Sequence, residues 1–332
     1  MRNTIDSFVI AALLLIGSTG ALAHGVTMKL RHPLPADSAF HRLFVIPWTE
    51  KVHQDAGGRI SFQIQAADTA PDKLLDLVRE GDVDVVWTDL ASTGGRLPAL
   101  EPFELPLMTK DAMSASRAMV EYIRLSDAAQ ANLDGVRLLA AHQVGTSVFH
   151  MRAKPVENAD DLKGARIGTV TAAGRLFLTQ AGATPIDVPL ARSAQALTGS
   201  EVDGVLLSWD LLPDRAAAKF HAEPGAARLD APVFVLLMND ATYKGLADDL
   251  KKVIQDNSGP EVAAAMIKAF DAHGQTARKA ATERGDTIAA MSSEEVERLH
   301  SAARTAIEEW LRASEDRSRA QTLDAAREAL QN

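Results

Sequence analysis

Two short pairings in this chain set an aromatic ring beside a carboxylate. Asp89 follows Trp87 by two residues, and Asp210 follows Trp209 directly. Each pairing closes an apolar run, 83–87 (VDVVW) and 202–207 (VDGVLL), with the length and composition of a buried strand. An indole face attracts a cation, and a carboxylate beside it adds an ion pair. Together they suit an amine or ammonium ligand. Phe40, His41, Asp68, His150 and Asn239 are candidate neighbours, with Trp48 and Glu104 beside them. Plainer roles stay open for several of these. Trp87 also fits core packing, Asp89 and Asp210 also fit helix caps, and His150 also fits a locally bonded strand residue. Trp48 and Trp310 fall on apolar helical faces and read as core. Asp89, Asp210 and Glu104 could also hold a metal cation with oxygen ligands.

Catalytic signatures are missing. The chain has no G-x-S-x-G, Walker A, H-E-x-x-H or G-x-G-x-x-G, so neither an enzyme nor a cofactor site is expected. His32 and His41, like His142 and His150, lack the i, i+4 spacing of helical metal ligands. There is no cysteine, which excludes thiol chemistry and thiolate metal sites. A net charge of -9 argues against nucleic acid as a partner, because phosphate binding needs basic patches.

Strands at 26–30, 60–65 and 83–87 alternate with helices at 40–54 and 72–79. That order predicts a parallel doubly wound sheet, with Pro47 forcing a kink or a late helix start. Ligands of such sheets sit beyond the carboxyl ends of the strands. Segments 32–38, 68–71 and 88–92 then project toward the ligand. The second half repeats the scheme, with strands at 145–152, 165–170, 184–188 and 202–207 and helices at 171–182 and 191–197. A strand at 231–238 follows. A long helical stretch, 249–284, is interrupted by Gly274, where a bend is expected. A short strand (287–291), a helix capped by Ser292 and running to about 313, and a helix at 317–330 complete the chain. At the other end, Arg2, an apolar run at 8–16 (FVIAALLLI) and Ala-Leu-Ala at 21–23 read as a signal peptide, 1–23, cleaved before His24. The apolar run is too short to span a bilayer. No cysteine follows the cleavage site, so the expected location is the periplasm, without a lipid anchor.

Several stretches resemble one family in order and spacing. The segment 161–168 (DLKGARIG) is similar to the DLKG-x-K-I-R segment of TRAP (tripartite ATP-independent periplasmic) solute receptors. The segment 182–189 (GATPIDVP) resembles their GA-x-P-x-x-x-P, and Val202-Asp203-Gly204 their VDG strand. The segments 77–84 (LVREGDVD) and 100–108 (LEPFELPLM), with Gly57-Gly58-Arg59, complete the likeness. The resemblance implies a two-lobed periplasmic-binding-protein-like α/β fold, with crossing strands and a long helix spanning both lobes. It implies lobe 1 as 24–145 plus 232–270 and lobe 2 as 146–231 plus 271–332. It further implies a small organic solute bound between lobes that close on it, and delivery to the TRAP permease subunits in the membrane. A receptor of an ATP-driven importer shares the two-lobe plan, but the DLKG, GATP and VDG segments favour the TRAP type. By the same resemblance, most of these receptors carry an Arg at the end of the K-I-R strand, where this chain has Gly168. Ser147 occupies the place of a second Arg. Loss of both cations, set against the acids above, suggests a small amine or other non-carboxylate solute. An organic acid held by a relocated Arg, from Arg31, Arg166, Arg175 or Arg192, is the alternative.

Overall fold

A computed structural model describes residues 25–66, 69–212, 217–313 and 318–331. The expected signal peptide and the candidate Asp68 lie outside the described residues.

The strands are β1 (Val26–His32), β2 (Ile60–Ala66), β3 (Val85–Asp89), β4 (Val136–His142), β5 (Ser147–Met151), β6 (Arg166–Thr169), β7 (Thr184–Asp187), β8 (Gly204–Ser208), β9 (Phe220–Glu223), β10 (Phe234–Asn239) and β11 (Thr287–Ala290). They form two sheets, ordered β2-β1-β3-β10-β4 and β11-β9-β5-β8-β6-β7. The α-helices are α1 (Ile46–Asp55), α2 (Leu74–Glu80), α3 (Ala112–Leu125), α4 (Asp127–Ala131), α5 (Ala172–Gln180), α6 (Ser193–Thr198), α7 (Asp240–Gly245), α8 (Asp248–Asp256), α9 (Pro260–Glu283), α10 (Ser293–Arg312) and α11 (Ser318–Ala329).

Neither sheet is purely parallel, as the strand–helix alternation had suggested. β1, β2 and β3 run parallel, but β10 is antiparallel to both β3 and β4. In the second sheet β6, β7 and β8 run parallel, and β5 is antiparallel to β8 and β9. The reason lies in the connections. β5 enters the second sheet straight from β4, and its first residue, Ser147, pairs with Ser208, the last residue of β8. β10 returns to the first sheet, and its Phe234 pairs with Asp89, the last residue of β3. Both crossings enter at the carboxyl ends of the parallel strands. The two sheets therefore present those ends to one another, and a cleft lies between them.

Helical segments tie the halves together. α9 packs on β4 and α3 at one end and bonds to β9 at the other, where Arg278 Nε donates to Glu223 Oε1 at 2.8 Å. The expected single helix over 249–284 is split at Gly259, which holds φ +79, and Pro260 starts α9, where its missing N–H costs no bond. α9 runs through Gly274 without a break. A Cβ there would lie 3.0 Å from Asp210 N, so the glycine permits close approach of helix and loop. Pro47 produces a late start: a π-helical turn at His41–Val45 precedes α1, with Pro47 in its first turn. α11, assigned from the sequence to lobe 2, packs on α3 of the first lobe. Leu105, Ala173, Trp310 and Leu323 form one apolar cluster, so α10 and α11 join the lobes beside the cleft. No helix among the described residues is long and apolar enough to cross a membrane.

Candidate functional site

The cleft between the sheets encloses a cavity of about 740 Å³, within the range of small-molecule sites. Apolar walls come from both lobes: Leu90 and Leu97 from the first, Val170, Val188 and Leu190 from the second, and Trp310 from α10. Carboxyl ends of strands supply the polar groups, as expected for open α/β sheets. Asp89 closes β3 and stays where it is because Ser92 N and Ser92 Oγ each donate to it at 2.8 Å. Burial raises its pKa, and those two bonds pull it back.

Glu104, at the end of a 3₁₀ stretch (Pro98–Glu104), is 5% exposed. Its Oε1 accepts the Val233 N–H at 3.0 Å. Burial pushes its pKa well up, and the nearby carboxylates of Asp230 and Asp89 push the same way.

On the opposite wall β6 runs into α5. Thr171 caps α5, its hydroxyl accepting Gly174 N–H at 2.7 Å. The N–H groups of Ala172 and Ala173 are among the helix's first four, which have no intrahelical acceptor. They carry the positive end of the helix dipole toward the cleft. Asp230 lies under this corner. Thr171 Oγ1 donates to it at 2.6 Å and Thr169 Oγ1 at 3.0 Å. Burial raises its pKa to about 6, against the lowering effect of those hydroxyls. Behind it Arg228, 3% exposed, donates to Thr109 Oγ1, Gln143 Oε1 and the Val144 carbonyl. Arg228 thus fastens the returning chain to the outgoing crossover. Two arginines also border the cavity. Arg175 in α5 pairs with Asp187 at 2.9 Å. Arg319 lies over the Trp310 ring and 3.9 Å from Glu101.

The candidates from the sequence that lie among the described residues do not meet at one place. Asp89 lines the large cleft. Trp209 and Asp210 line a separate cavity of about 330 Å³, bounded by 145–148, 223–225 and α9. There Asp210 accepts Gly145 N–H at 2.8 Å and a bond from the Ser208 hydroxyl, and Trp209 Nε1 donates to Glu223. Asp89 and Glu104 therefore share no cation site with Asp210, and no group of three or more His, Asp or Glu among the described residues is placed to hold a metal ion.

Trp87 is fully buried. It stacks on Phe40 (centroids 3.9 Å) and Phe234 (4.8 Å) and donates Nε1 to His142 Nε2 at 3.0 Å. Phe40 belongs to the same stack, which continues to Phe270 of α9. His41 sits in the π turn 2.9 Å from His32. His150 is buried beside His221, with Nδ1 atoms 2.7 Å apart. Asn239 caps α7 through Thr242 N–H and donates to the Val78 carbonyl. Gly168 points into packing, because a Cβ there would lie 3.0 Å from Val205 and 3.1 Å from Val188. Among the arginines considered as substitutes, Arg166 pairs with Asp203, Arg192 with Glu201, and Arg31 donates to Gln65 and Thr69. Arg175 alone of the four borders the cleft.

Residues 32–313 match the bacterial extracellular solute-binding protein family 7, DctP. The chain belongs to that family. Solved relatives carry the same two-lobed fold. One is a TRAP solute-binding protein from Rhodoferax ferrireducens with copurified benzoate, similar at TM-score 0.86 and 31% identity over 92% of this chain and 98% of that one. Another, from a marine metagenome and specific for aromatic acid ligands, holds 3-hydroxybenzoate, at TM-score 0.86 and 31% identity over 93% of this chain and 98% of that one. A curated relative, the outer membrane transporter protein TsaT of Comamonas testosteroni, is 24% identical over 95% of this chain and 93% of its own. This family 7 protein is a TRAP-type solute receptor and not an enzyme, and the receptors of its class are periplasmic proteins that hand small organic solutes to a membrane permease. Sequence reasoning passed over Thr169, Thr171, Asp230, Arg228 and the cleft-lining face of Trp310. Only the VTAAG turn at 170–174 (a Thr before a helix) carried a signal, and it is a capping signal.

Proposed function

We propose that this receptor binds a small aromatic carboxylate in the interlobe cleft and, from the periplasm, delivers it to a TRAP permease. The observation that carries the reading is the pairing of apolar walls with the open start of α5 on one side of the cleft. Apolar walls take a ring. Free backbone N–H groups, the helix dipole and Arg175 in the next turn take a carboxylate. That arrangement gives an anion a seat in the absence of the arginine replaced by Gly168. The aromatic-acid ligands of the 31%-identical receptors support the same class.

A second reading, a small amine, is favoured by the carboxyl groups of Asp89 and Glu104 in the cleft wall. Burial weakens it, because it raises the pKa of both groups and so reduces the counter-charge they offer a cation. A thermal-shift panel separates the two. Benzoate and 3-hydroxybenzoate are expected to raise the unfolding temperature, with about 2.7 kcal/mol of stabilisation at a hundredfold excess over Kd, and benzylamine is not. A shift with benzylamine and none with the acids would overturn the proposal.

A further inference from the structure

Glu104 has only one of its two carboxyl oxygens engaged. Oε1 takes the Val233 N–H, and no hydrogen bond from a described residue reaches Oε2. The side chain is 5% exposed, and that remaining surface borders the cleft. Its charged neighbours are of one sign: Asp89 from β3, Asp230 from the connection before β10, and Glu101 from its own 3₁₀ stretch. Two arginines beside those acids are engaged with other groups. Arg319 lies against Glu101 and Trp310, and Arg228 bonds Thr109, Gln143 and Val144. A carboxylate there would be buried, half-bonded and faced by three acids. A carboxylic acid there has an O–H to offer at the cleft wall.

We infer that Glu104 binds the solute in its protonated form, donating its O–H to the solute carboxylate, so that binding an organic acid is coupled to retention or uptake of one proton. The inference rests on the aromatic-carboxylate reading above. The bond is of the O–H···O⁻ kind, among the shorter and stronger hydrogen bonds in proteins. It also determines specificity. An anion accepts it, an amine does not, and a neutral ester or amide of the same acid accepts it more weakly. The direction of the carboxyl's shift agrees: burial and like charges keep the proton on Glu104 where a free glutamate would have lost it. The linkage has a definite sign. Affinity is level while free Glu104 is protonated and falls by up to tenfold per pH unit once it ionises, because the solute must then restore the proton.

The test is calorimetric titration of the full receptor with benzoate, which is fully ionised over the whole range, from pH 5.5 to 9 in buffers of different ionisation enthalpy. Wild-type receptor is expected to lose affinity toward high pH and to take up close to one proton per benzoate on that limb. Glu104→Gln keeps the Val233 bond through its carbonyl and keeps a donor for the ligand. It is expected to bind benzoate more weakly than wild type at the low-pH end but more tightly than Glu104→Leu, and to show no proton uptake on the high-pH limb, where Asp230 is already ionised. Glu104→Leu, which has no donor, is expected to bind at least tenfold more weakly. Benzoate binding with no pH dependence and no proton exchange in the wild type, or with the same exchange in Glu104→Gln, would overturn the inference while leaving the carboxylate reading intact. Benzylamine binding without benzoate binding would overturn both.

Discussion

Asp230 offers a sharp test of how the cleft corner is held, through Asp230→Asn. The side chain is buried, and its pKa is lifted from the ordinary value of 3.8 to about 6. A group with a raised folded-state value contributes stability that is fully present below the unfolded value and is lost as pH rises through the folded one. Between pH 4 and 6, therefore, ionisation of Asp230 removes stability. The gap corresponds to about 3 kcal/mol at neutral pH, at 1.36 kcal/mol per tenfold step. Asparagine carries no charge and escapes that loss. It keeps one acceptor for the Thr171 hydroxyl and turns its amide toward Thr169, which must then accept where it had donated, at a cost of about 1 kcal/mol. The variant is thus expected to be more stable than wild type by about 2 kcal/mol at pH 7 and no more stable below pH 4. Urea unfolding of both proteins at half-unit steps from pH 4 to 7.5 measures the difference directly. Stability curves that run parallel over that range, or a variant less stable at pH 7, would refute the reasoning about this carboxyl.

The other expectations concern the aromatic stack, the histidines and the glycines. Trp87→Ala empties the centre of the Phe40–Trp87–Phe234 stack and is expected to cost about 3–5 kcal/mol in denaturant unfolding, with benzoate affinity of the folded protein changed less than threefold, since Trp87 lies outside the cleft lining. His142 has its pKa lowered by burial to about 4. It contributes stability present above pH 6.5 and lost as pH falls toward 4, so His142→Gln is expected to flatten acid unfolding in that window, read by circular dichroism. Gly168→Arg drives a long side chain into Val205 and Val188. Melting is expected to show destabilisation of about 1–3 kcal/mol, with no gain in benzoate affinity by calorimetry. Gly274→Val pushes α9 off Asp210 and is expected to cost a similar amount, about 1–3 kcal/mol, by the same melt.

The fold was readable wherever hydrophobic period and punctuation agreed. β1 and β2 alternate, the runs of β3 and β8 are short and apolar, and Ser292 caps α10 through Glu295 N–H. The segment 109–144 carried no such agreement, and α3 and β4 went unassigned in it, although Asp111 caps α3 through Ser114 N–H. The order of strands in a sheet depends on where the chain crosses between lobes, which no local pattern records. That is why β5 and β10 could be read as strands while their antiparallel direction could not.

The site was less legible. All five residues of β3 are buried, so alternation could not tell which end of that strand faces a ligand and which faces Phe40 and Phe234. Asp89, expected just past a strand ending at 87, is the last residue of β3. Trp209 and Asp210 sit at a strand end too, but α9 comes so close at Gly274 that they line a different cavity. Trp310 reads as an apolar helical residue and is one, and only the docking of α10 beside α5 brings it to the cleft. Gly168 could be read from the sequence, but its close packing against Val188 and Val205 required the folded chain.

The most direct measurement is a crystal structure of the receptor with benzoate. The expected result is one benzoate between the sheets, its ring against Leu90, Val188 and Trp310 and its carboxylate within hydrogen-bond distance of the start of α5 and of Glu104. Benzoate seated in the cavity of Trp209 and Asp210, or a cleft that stays empty at saturating benzoate, would contradict the assignment of this cleft as a carboxylate site.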